Sequence, residues 1–269
     1  MLTDVSAAFQ AALTAAAGKQ LIIPSGLYKL TAPITIPPAT YLVGAGSKAT
    51  YLYFTLVASS TANLVSINAG APSGIQYGGG VSGLSINDVT PTSLTTGIYV
   101  ESVVGGKFEN INLTGMHVAA SFLNGSNVIS NFQIATLASP STAIGVLATG
   151  ITCGLGVFDS LIQSSTTPGQ QIGTGYLFQG GASPTMHAAN TYGCTIGCRV
   201  NAVGVSVYWP ELVNCQFDTA SDTGLLFDCG TGGNIYGVTV QNLWASTFGA
   251  YGVHIKPGAG VINGVSFDG

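Results

Sequence analysis

The sequence predicts an all-β protein, a parallel β-helix (solenoid) preceded by a short capping helix. Three observations predict this fold class: short apolar runs separated by Pro and Gly, a four-residue pattern that recurs along the chain, and a low charge content. Of the 269 residues only 6% are charged, against roughly 25% in most soluble domains. A stack of coils can instead cover its surface with Ser, Thr, Asn and Gln, and the mean hydropathy of +0.47 argues against a disordered chain.

Composition also disfavours two classes of partner. With six basic residues and a net charge of −4, the chain lacks the positive surface that nucleic acid requires. No apolar run approaches the roughly 18 residues of a membrane span.

Residues 1–18 have no basic segment, and Gln10 and Thr14 interrupt their apolar stretch, so no secretory signal is predicted. We expect a protein that leaves its cell by another route, stays inside it, or is an excised domain.

Residues 1–20 are predicted to be a capping helix ahead of a single β-helix domain at residues 21–269. The helix itself is predicted over 4–17, with Thr3 or Asp4 as its N-cap. It is expected to cover the first coil, whose backbone and core would otherwise be open. The apolar face of the helix is predicted to consist of Val5, Ala8, Phe9, Ala12, Leu13 and Ala16.

Residues 21–46 are predicted to form the first coil. Pro and Gly separate its short apolar runs, and no two runs are joined by the Asn-Gly or Asp-Gly loop of a hairpin. A chain that bends after each short strand without reversing keeps turning one way, which favours parallel coils. The predicted strands are 21–23, 28–30 with 34–36, and 41–43.

From residue 74 onward a quartet of Gly or Asn, apolar, any residue, apolar recurs, which is the self-similarity of a repeat architecture. The second and fourth residues are expected to point inward, and the leading Gly or Asn to lie in a bend that needs positive φ. One set of quartets begins at Gly83, Asn110, Asn131, Gly193, Asn214, Gly237 and Gly264. The second set begins at Gly97, Gly145, Gly175, Gly197, Gly224 and Gly252.

The two sets differ in the residue that points outward. The first set predicts a solvent-exposed polar face. Its outward residues are Ser85, Asn112, Gln133, Thr195, Gln216, Thr239 and Ser266. The second predicts a largely apolar column, with Tyr99, Leu147, Leu177, Arg199, Leu226 and His254. Monomers rarely expose such a stripe, so we expect this column to be a subunit interface. The alternative is that residues 59–80 or 163–175, which break the repeat, fold over it.

Two further expectations concern charge and sulfur. Asp228 and Lys256 follow neighbouring quartets and are expected to form an exposed ion pair that adds little stability. The five cysteines cannot all pair, and their spacing is not that of a zinc site, so buried free thiols are predicted, with no metal and no cofactor. Residues 267–269 lie inside a repeat, which we expect to need a partner or more chain.

The opening of the chain resembles a known superfamily. An Ala-rich helix from Asp4, then Pro24-Ser25-Gly26 with Tyr28 and Leu30, then Leu42-Val43-Gly44-Ala45-Gly46, is similar to the start of pectate-lyase-like right-handed parallel β-helix proteins. Phage tailspikes and polysaccharide depolymerases are the most similar members. The resemblance implies an elongated, often trimeric protein that touches carbohydrate along its flank. Release by lysis would also account for the missing signal.

The resemblance supplies no catalytic residue. Pectate lyases of this type use an arginine base beside a calcium site of several acids, but the one arginine here, Arg199, has no acid beside it in sequence. The Asn-Thr-Asp motif and the paired Asp of the pectin hydrolases are also absent.

The candidate catalytic residues are among the ten acids, because glycan hydrolysis uses two carboxyls about 5 to 9.5 Å apart. The densest group predicts Glu211 as the acid and Asp218 or Asp222 as its partner. Glu101 and Glu109, with Lys107 between them, form a second candidate pair. The alternative is that all these acids are solvated surface or turn residues.

Aromatic side chains mark the candidate sugar-binding positions, since a ring beside an acid suits the apolar face of a sugar. Tyr208 and Trp209 precede Glu211, and Trp244 is the third candidate. A packing role for the Trp is the alternative. The histidines His117, His187 and His254 lie far apart, and no G-x-S-x-G elbow accompanies them, although a Ser-His-Asp triad stays open.

The sequence thus predicts a phage tailspike- or tail-fibre-like β-helix, a homotrimer located in a virion or outside the cell. It is expected to contact host surface polysaccharide and other virion tail proteins. A polysaccharide lyase or glycoside hydrolase is the enzyme alternative, and a structural stem or decoration module without ligand is the third.

Overall fold

The computed structural model describes residues 2–68, 74–90, 94–167, 169–181, 183–230 and 232–269, with 151 and 152 as backbone alone. One helix, Ser6–Ala15, and one 3-10 turn, Pro140–Thr142, accompany the strands in this part of the chain. The strands are Gln20–Ile23, Gly26–Leu30, Ile34–Ile36, Tyr41–Gly44, Thr50–Phe54, Asn63–Ile67, Gln76–Tyr77, Gly80–Asp88, Thr96–Thr114, Val118–Ala135, Ile144–Phe158, Leu161–Gln163, Thr174–Gln179, Ser183–His187, Asn190–Tyr192, Ile196–Asn201, Val207–Tyr208, Glu211–Val213, Gln216–Asp218, Thr223–Asp228, Ile235–Tyr236, Thr239–Gln241, Trp244–Ser246, Tyr251–Lys256, Ile262–Asn263 and Ser266–Asp268.

The strands stack as a right-handed parallel β-helix, as predicted, and every strand ladder within the described residues is parallel. Each coil contributes one segment to each of three faces. Face I runs from Gln20–Ile23 to Ser266–Asp268, and face II from Gly26–Leu30 to Trp244–Ser246. Face III runs from Ile34–Ile36 to Tyr251–Lys256. The long strand Thr96–Thr114 passes through faces III, I and II in turn.

The core is a column of apolar side chains along the axis, because alternate residues of each strand point inward. The largest fully buried side chains include Phe54, Phe108, Phe122, Phe132 and Phe178. All five cysteines are free and buried in this core, which confirms that prediction.

The corner between faces I and II is a tight bend with one residue at positive φ in each coil. The leading residue of every quartet in the first set has positive φ, from 51° at Asn131 to 74° at Gly193. Asn is among the residues that tolerate this left-handed conformation. The side chains of Asn131 and Asn110 hydrogen-bond between coils, as do those of Asn242 and Asn214 at 3.0 Å. The predicted bends are therefore confirmed for the first set.

The glycines of the second set have a different role, and the expectation of positive φ is wrong for them. A Cβ on Gly145, Gly175 or Gly197 would lie 2.5 to 2.6 Å from the backbone oxygen of the next glycine in the column. These positions hold glycine because successive coils approach too closely for any side chain.

The first set does not lie on one face. The quartets that begin at Gly83, Asn110, Asn131 and Asn214 enter face II, whereas those at Gly237 and Gly264 enter face I. The quartet at Gly193 forms the turn after Asn190–Tyr192, which is the actual face II strand. The register error arises because all three corners use the same Gly or Asn bend before the same apolar alternation.

The helix covers the first coil, with shorter bounds than predicted. Phe9, Leu13 and Ala16 face the core, whereas Ala8 and Ala12 are exposed. The Gln10 amide group pairs with the open edge of the third strand: its Nε2 donates to Thr35 O at 2.9 Å and its Oε1 accepts from Thr35 N at 2.8 Å. The helix therefore pairs with the backbone N–H and C=O of Thr35 as well as covering the core of the coil.

Candidate functional site

Face II presents two outward columns that stack in register along the axis. Polar and aromatic side chains dominate both columns. The residue between the two outward positions of each strand points inward and belongs to the core. One column is Asn112, Gln133, Leu161, Asn190, Gln216 and Trp244. The other is Thr114, Ala135, Gln163, Tyr192, Asp218 and Ser246.

Three adjoining concavities open on this face and form a continuous groove. One of about 370 Å³ lies around Gln133, and one of about 420 Å³ lies around Asn190 and Tyr192. A third, of about 490 Å³, extends sideways between the loops that follow Ala135 and Gln163. Gln163 lines all three, so it marks the point where they meet.

The groove is suited in length to an extended ligand. At about 4.8 Å per coil, the four steps from the Asn112 coil to the Gln216 coil give roughly 19 Å. Trp244 lies one coil further, in register with Gln216, and its side chain is 61% exposed. Tyr192 is also exposed, so two aromatic rings lie toward the C-terminal end of the groove.

Apart from one carboxylate, the side chains that can hydrogen-bond in the groove are neutral, and four of them are free. The side-chain amides of Gln133, Gln163, Asn190 and Gln216 make no hydrogen bond to any described residue. Such amides can both donate to and accept from hydroxyl groups. The arrangement is therefore able to bind a neutral polyhydroxylated chain along the axis.

Asp218 is the one carboxylate among the residues that line the groove. Ser246 Oγ donates to its Oδ1 at 2.6 Å, and Thr219 Oγ1 donates to the same atom at 3.2 Å. These bonds fix the carboxylate near the C-terminal end of the groove. In register, Asp218 lies between Tyr192 and Ser246.

Of the predicted catalytic and glycan-binding residues, Asp218 and Trp244 are the two that lie on face II. Glu211 lies on face I, where Thr185 and Thr239 are its register partners. Asp222 is exposed in the turn that precedes the face III strand Thr223–Asp228. The predicted catalytic group therefore belongs to one coil but is spread around its perimeter.

Tyr208 and Trp209 form an aromatic cluster at the corner between faces III and I, away from the groove. The Tyr208 ring stacks on Tyr236 of the next coil, with centroids 5.5 Å apart and planes at 18°. Trp209 is 70% exposed, with φ at 48°, and its ring covers the backbone of Gly237. Glu211 follows two residues later.

Face III carries the predicted apolar column in register, with Ser121 inserted between Tyr99 and Leu147. Its side chains are half-buried or, at Ser121 and Leu226, buried, so the stripe is less exposed than its composition suggests. Tyr99 donates to Glu101 Oε2 at 3.1 Å, and burial together with that carboxylate raises the pKa of Tyr99 to about 12. Residues 69–73 and 168 of the two candidate covering segments lie outside the described residues.

Asp228 anchors a cluster of charges at the edge of face III. Lys256 is its register partner, with Nζ 3.8 Å from Asp228 Oδ2, which confirms the predicted pairing. Arg199 was not predicted to join it, yet its guanidinium donates to the same oxygen at 2.7 Å. Burial alone raises the pKa of Asp228, but the Gly230 amide and Arg199 outweigh it, so the pKa falls below its usual value. The expectation of an exposed pair is wrong because Asp228 itself is buried.

The remaining candidates are dispersed. Glu101 lies on face III and Glu109 on face I. His187 packs against Phe158 on face I, and His254 against Tyr251 on face III. No group of three or more His, Cys, Asp or Glu side chains within the described ranges is arranged to hold a metal ion. No described helix has the length and apolar character to cross a membrane.

Sequence reasoning missed Gln163, Asn190 and Tyr192 as groove residues. A partial signal was present, since Asn112, Gln133 and Gln216 were assigned to the wet outward positions of the first set. Gln163, Asn190 and Tyr192 lie in two strands that no Gly or Asn precedes at the corner. Asp159 and Ala188 occupy the positive-φ position there instead.

Solved structures of similar fold exist, although no protein-family model matches the chain and the search of curated proteins found no match. The ORF18 protein of Geobacillus virus E2 superposes with a TM-score of 0.58 at 16% identity, over 94% of this chain and 57% of that one. A pectin methylesterase solved with a hexasaccharide gives 0.52 at 11% identity, over 84% of this chain and 77% of that one. The chain thus spans little more than half of the viral protein. At these identities the likeness establishes the parallel β-helix fold alone.

Proposed function

We propose that this protein binds a neutral polysaccharide of a host cell surface, with the glycan chain lying along the face II groove. The observation that carries the proposal is the row of unpaired amides on the floor, at Gln133, Gln163, Asn190 and Gln216. Hydroxyl-rich chains satisfy such donors and acceptors at every coil. Tyr192 and Trp244 add aromatic surface for the apolar faces of sugar rings.

Adhesion is favoured over cleavage by the distribution of carboxylates. Hydrolysis by the usual route requires two carboxyls about 5 to 9.5 Å apart, flanking one glycosidic bond. Asp218 is alone among the described groove-lining residues, and Glu211 and Asp222 lie elsewhere on the coil perimeter. The Tyr208 and Trp209 cluster, with Glu211 beside it, is a second candidate sugar-binding surface.

The proposed setting is a phage tail or the extracellular space, with the protein as a homotrimer. The resemblance of residues 4–46 to phage tailspikes supports this, and one protein of similar fold is encoded by a virus. Face III is the proposed subunit interface, through the column from Tyr99 to His254. A solution mass measured by light scattering is expected at three times the 27.1 kDa chain. A monomeric mass would contradict the trimer and leave the groove proposal intact.

Groove binding is tested by substitution on face II against a matched position on face I. We expect Gln216→Ala and Gln133→Ala each to weaken binding to an immobilised bacterial polysaccharide panel by roughly 2- to 10-fold, since each lost hydrogen bond removes about 0.5–1.5 kcal/mol. Gln241→Ala is the control, because Gln241 is an exposed outward glutamine on face I. Equal effects at all three positions, or no binding to any polysaccharide, would refute the proposal.

The enzyme alternative has its own readout. Incubation with the same panel is expected to release no new reducing ends and no unsaturated sugars. Release of either that Asp218→Asn or Glu211→Gln abolishes would establish a depolymerase and overturn the non-cleaving part of the proposal.

A further inference from the structure

We infer that the lateral concavity of the groove receives a neutral sugar branch, so that the preferred ligand is a branched rather than a linear polysaccharide. This inference rests on the proposed binding of glycan along face II. The concavity of about 490 Å³ opens from the groove floor at Ala135 and Gln163 and runs sideways toward face III.

The position of the concavity is what indicates a branch. The groove continues past Gln163 in both directions, toward Gln133 on one side and Asn190 on the other. A main chain that follows the axis therefore passes the mouth of the concavity without entering it. Only a substituent that projects from the chain at the Gln163 coil can fill the space.

The lining suits one pyranose ring. Leu137 and Ile172 are buried at its base and supply an apolar surface. Ser164, Ser165 and Gln170 supply polar groups around that base. A concavity of 300–1,000 Å³ with apolar surface and a few polar groups is typical of small-ligand sites.

The concavity is preformed by hydrogen bonds within its own walls. Ser164 Oγ accepts from Ile172 N at 2.6 Å, and Ser165 Oγ accepts from Thr167 N at 3.1 Å. Each hydroxyl therefore keeps its proton for an acceptor on a ligand. Gly173 N donates to Pro140 O at 2.8 Å and ties the two wall segments together. A preformed site avoids the entropic cost of ordering loops on binding.

The charge of the branch follows from the same lining. No Asp, Glu, Lys or Arg side chain is among the described residues that line the concavity. An acidic sugar would leave its carboxylate without a counter-charge beside buried Leu137 and Ile172, which is unfavourable. A neutral hexose or pentose is the chemical class that fits.

The test compares matched polysaccharides with and without branches, using the full chain. Galactomannan, arabinoxylan and a β-1,3-glucan with single-glucose branches are each measured by calorimetry beside the same polysaccharide after enzymatic debranching. We expect at least one branched polymer to bind about tenfold more tightly than its debranched form. Gln170→Trp, which fills the concavity, is expected to remove that difference and to leave binding of the debranched form unchanged.

Two further variants keep the result interpretable. Gln133→Trp obstructs the groove floor and is expected to weaken both forms, and Gln241→Trp adds the same bulk on face I and is expected to weaken neither. Gln170→Leu serves if the tryptophan variant fails to fold. Equal binding of branched and debranched forms, or a preference that both Gln170 variants leave unchanged, overturns the branch inference but not the groove. No binding to any of the six polymers, together with an unresponsive bacterial panel, overturns both.

Discussion

Asn127 places a side-chain amide inside the core, where its Oδ1 and Nδ2 have no hydrogen-bond partner in the described part of the chain. Its neighbours in register are Gly106 and Leu155, and the ladder shifts by one residue at this point. Only Gly106 leaves room for it, since a Cβ there would lie 2.4 Å from Asn127 Oδ1. A buried amide without partners costs free energy because it loses its hydrogen bonds to water.

Asn127→Leu is therefore expected to stabilise the protein. Leucine has a similar branched shape and no polar atoms, so the gain should be about 1–3 kcal/mol, the cost of an unsatisfied buried group. Denaturant unfolding measures it, with Asn263→Leu as a control because Asn263 is exposed. A less stable Asn127→Leu variant would show that the amide has a bound partner.

Asp4 fastens the first coil to the segment before the helix. Its carboxylate accepts from Ser6 Oγ at 2.6 Å, from Thr31 Oγ1 at 2.8 Å, and from the backbone amides of both residues. The Ser6 and Thr31 hydrogen bonds lower the pKa of Asp4 to about 2.

This lowered pKa predicts a pH dependence of stability. The carboxyl has a higher pKa in the unfolded chain, about 3.9, so its contribution is present above about pH 4 and is lost as the pH falls toward 2. The difference in thermal midpoint between the native protein and Asp4→Asn should shrink over that interval. Thr31→Val, which removes one donor, should give a smaller difference. A difference that stays constant from pH 5 to 2 would contradict this assignment.

In the cluster of Asp228, Lys256 and Arg199, one contact is predictable from the sequence and the other is not. Asp228 and Lys256 could be paired in advance because both hold the same position after neighbouring quartets. Arg199 pairs in register with Leu226, and it meets Asp228 only diagonally. Diagonal contacts depend on the direction of long side chains, which spacing does not specify.

At the scale of the strand, the glycine column of face III fixes how closely coils approach. A Cβ on Gly197 would meet Gly224 O at 2.6 Å, Phe217 Cβ at 2.8 Å and Thr191 Oγ1 at 2.9 Å. All three of these contacts belong to other strands, so the whole coil would have to shift.

Gly197→Ala is expected to destabilise the protein by about 1–3 kcal/mol through overpacking. Gly74→Ala is the matched control, because a Cβ there meets nothing within 4 Å, and its effect should stay within about 0.5 kcal/mol. Thermal or denaturant unfolding of the two variants compares them directly. Similar small effects in both would mean that the face III strands can separate at little cost.

The strands of each coil were largely predictable, but their distribution among faces was not. Apolar alternation and a leading Gly or Asn locate a strand because both are local properties of the backbone. Gly237 and Asn214 carry the same local signal, yet they open different faces. The face depends on the lengths of all preceding turns, which local patterns do not record.

At the scale of the molecule, one continuous core protects the five cysteines. Burial raises the pKa of Cys153 and of Cys194 to about 12, and that of Cys215 to about 11. Cys198 and Cys229 are buried as well. The thiolate is the reactive form, so both access and ionisation are suppressed in the folded state.

Alkylation therefore reports unfolding of the whole stack. At pH 8, mass spectrometry should detect no iodoacetamide adduct on the folded protein and five adducts after unfolding in urea. Adducts on Cys229 alone under native conditions would show that the lower coils open independently, since Cys229 is the cysteine nearest residue 269.

The groove exists only at this largest scale. Its floor combines Asn112, Gln133, Gln163, Asn190 and Gln216 from five coils, and its lateral branch needs two loops of different length. Three of these positions, Asn112, Gln133 and Gln216, are predicted from the sequence to face solvent. The sequence pattern favours Glu211, Trp209 and Tyr208 as the glycan site instead, because these residues are close together along the chain. Proximity across coils proved different from proximity along the chain.

The sequence by itself determined the parallel β-helix, the capping helix, the glycine and asparagine bends and the buried thiols. Each follows from periodicity or residue type within a few neighbours, where backbone sterics and burial act directly. Tertiary structure alone decided which outward side chains share a face and which loops open a pocket. Those relations join residues one coil apart, and the number of residues in each coil, not the chemistry of any one strand, brings them into contact.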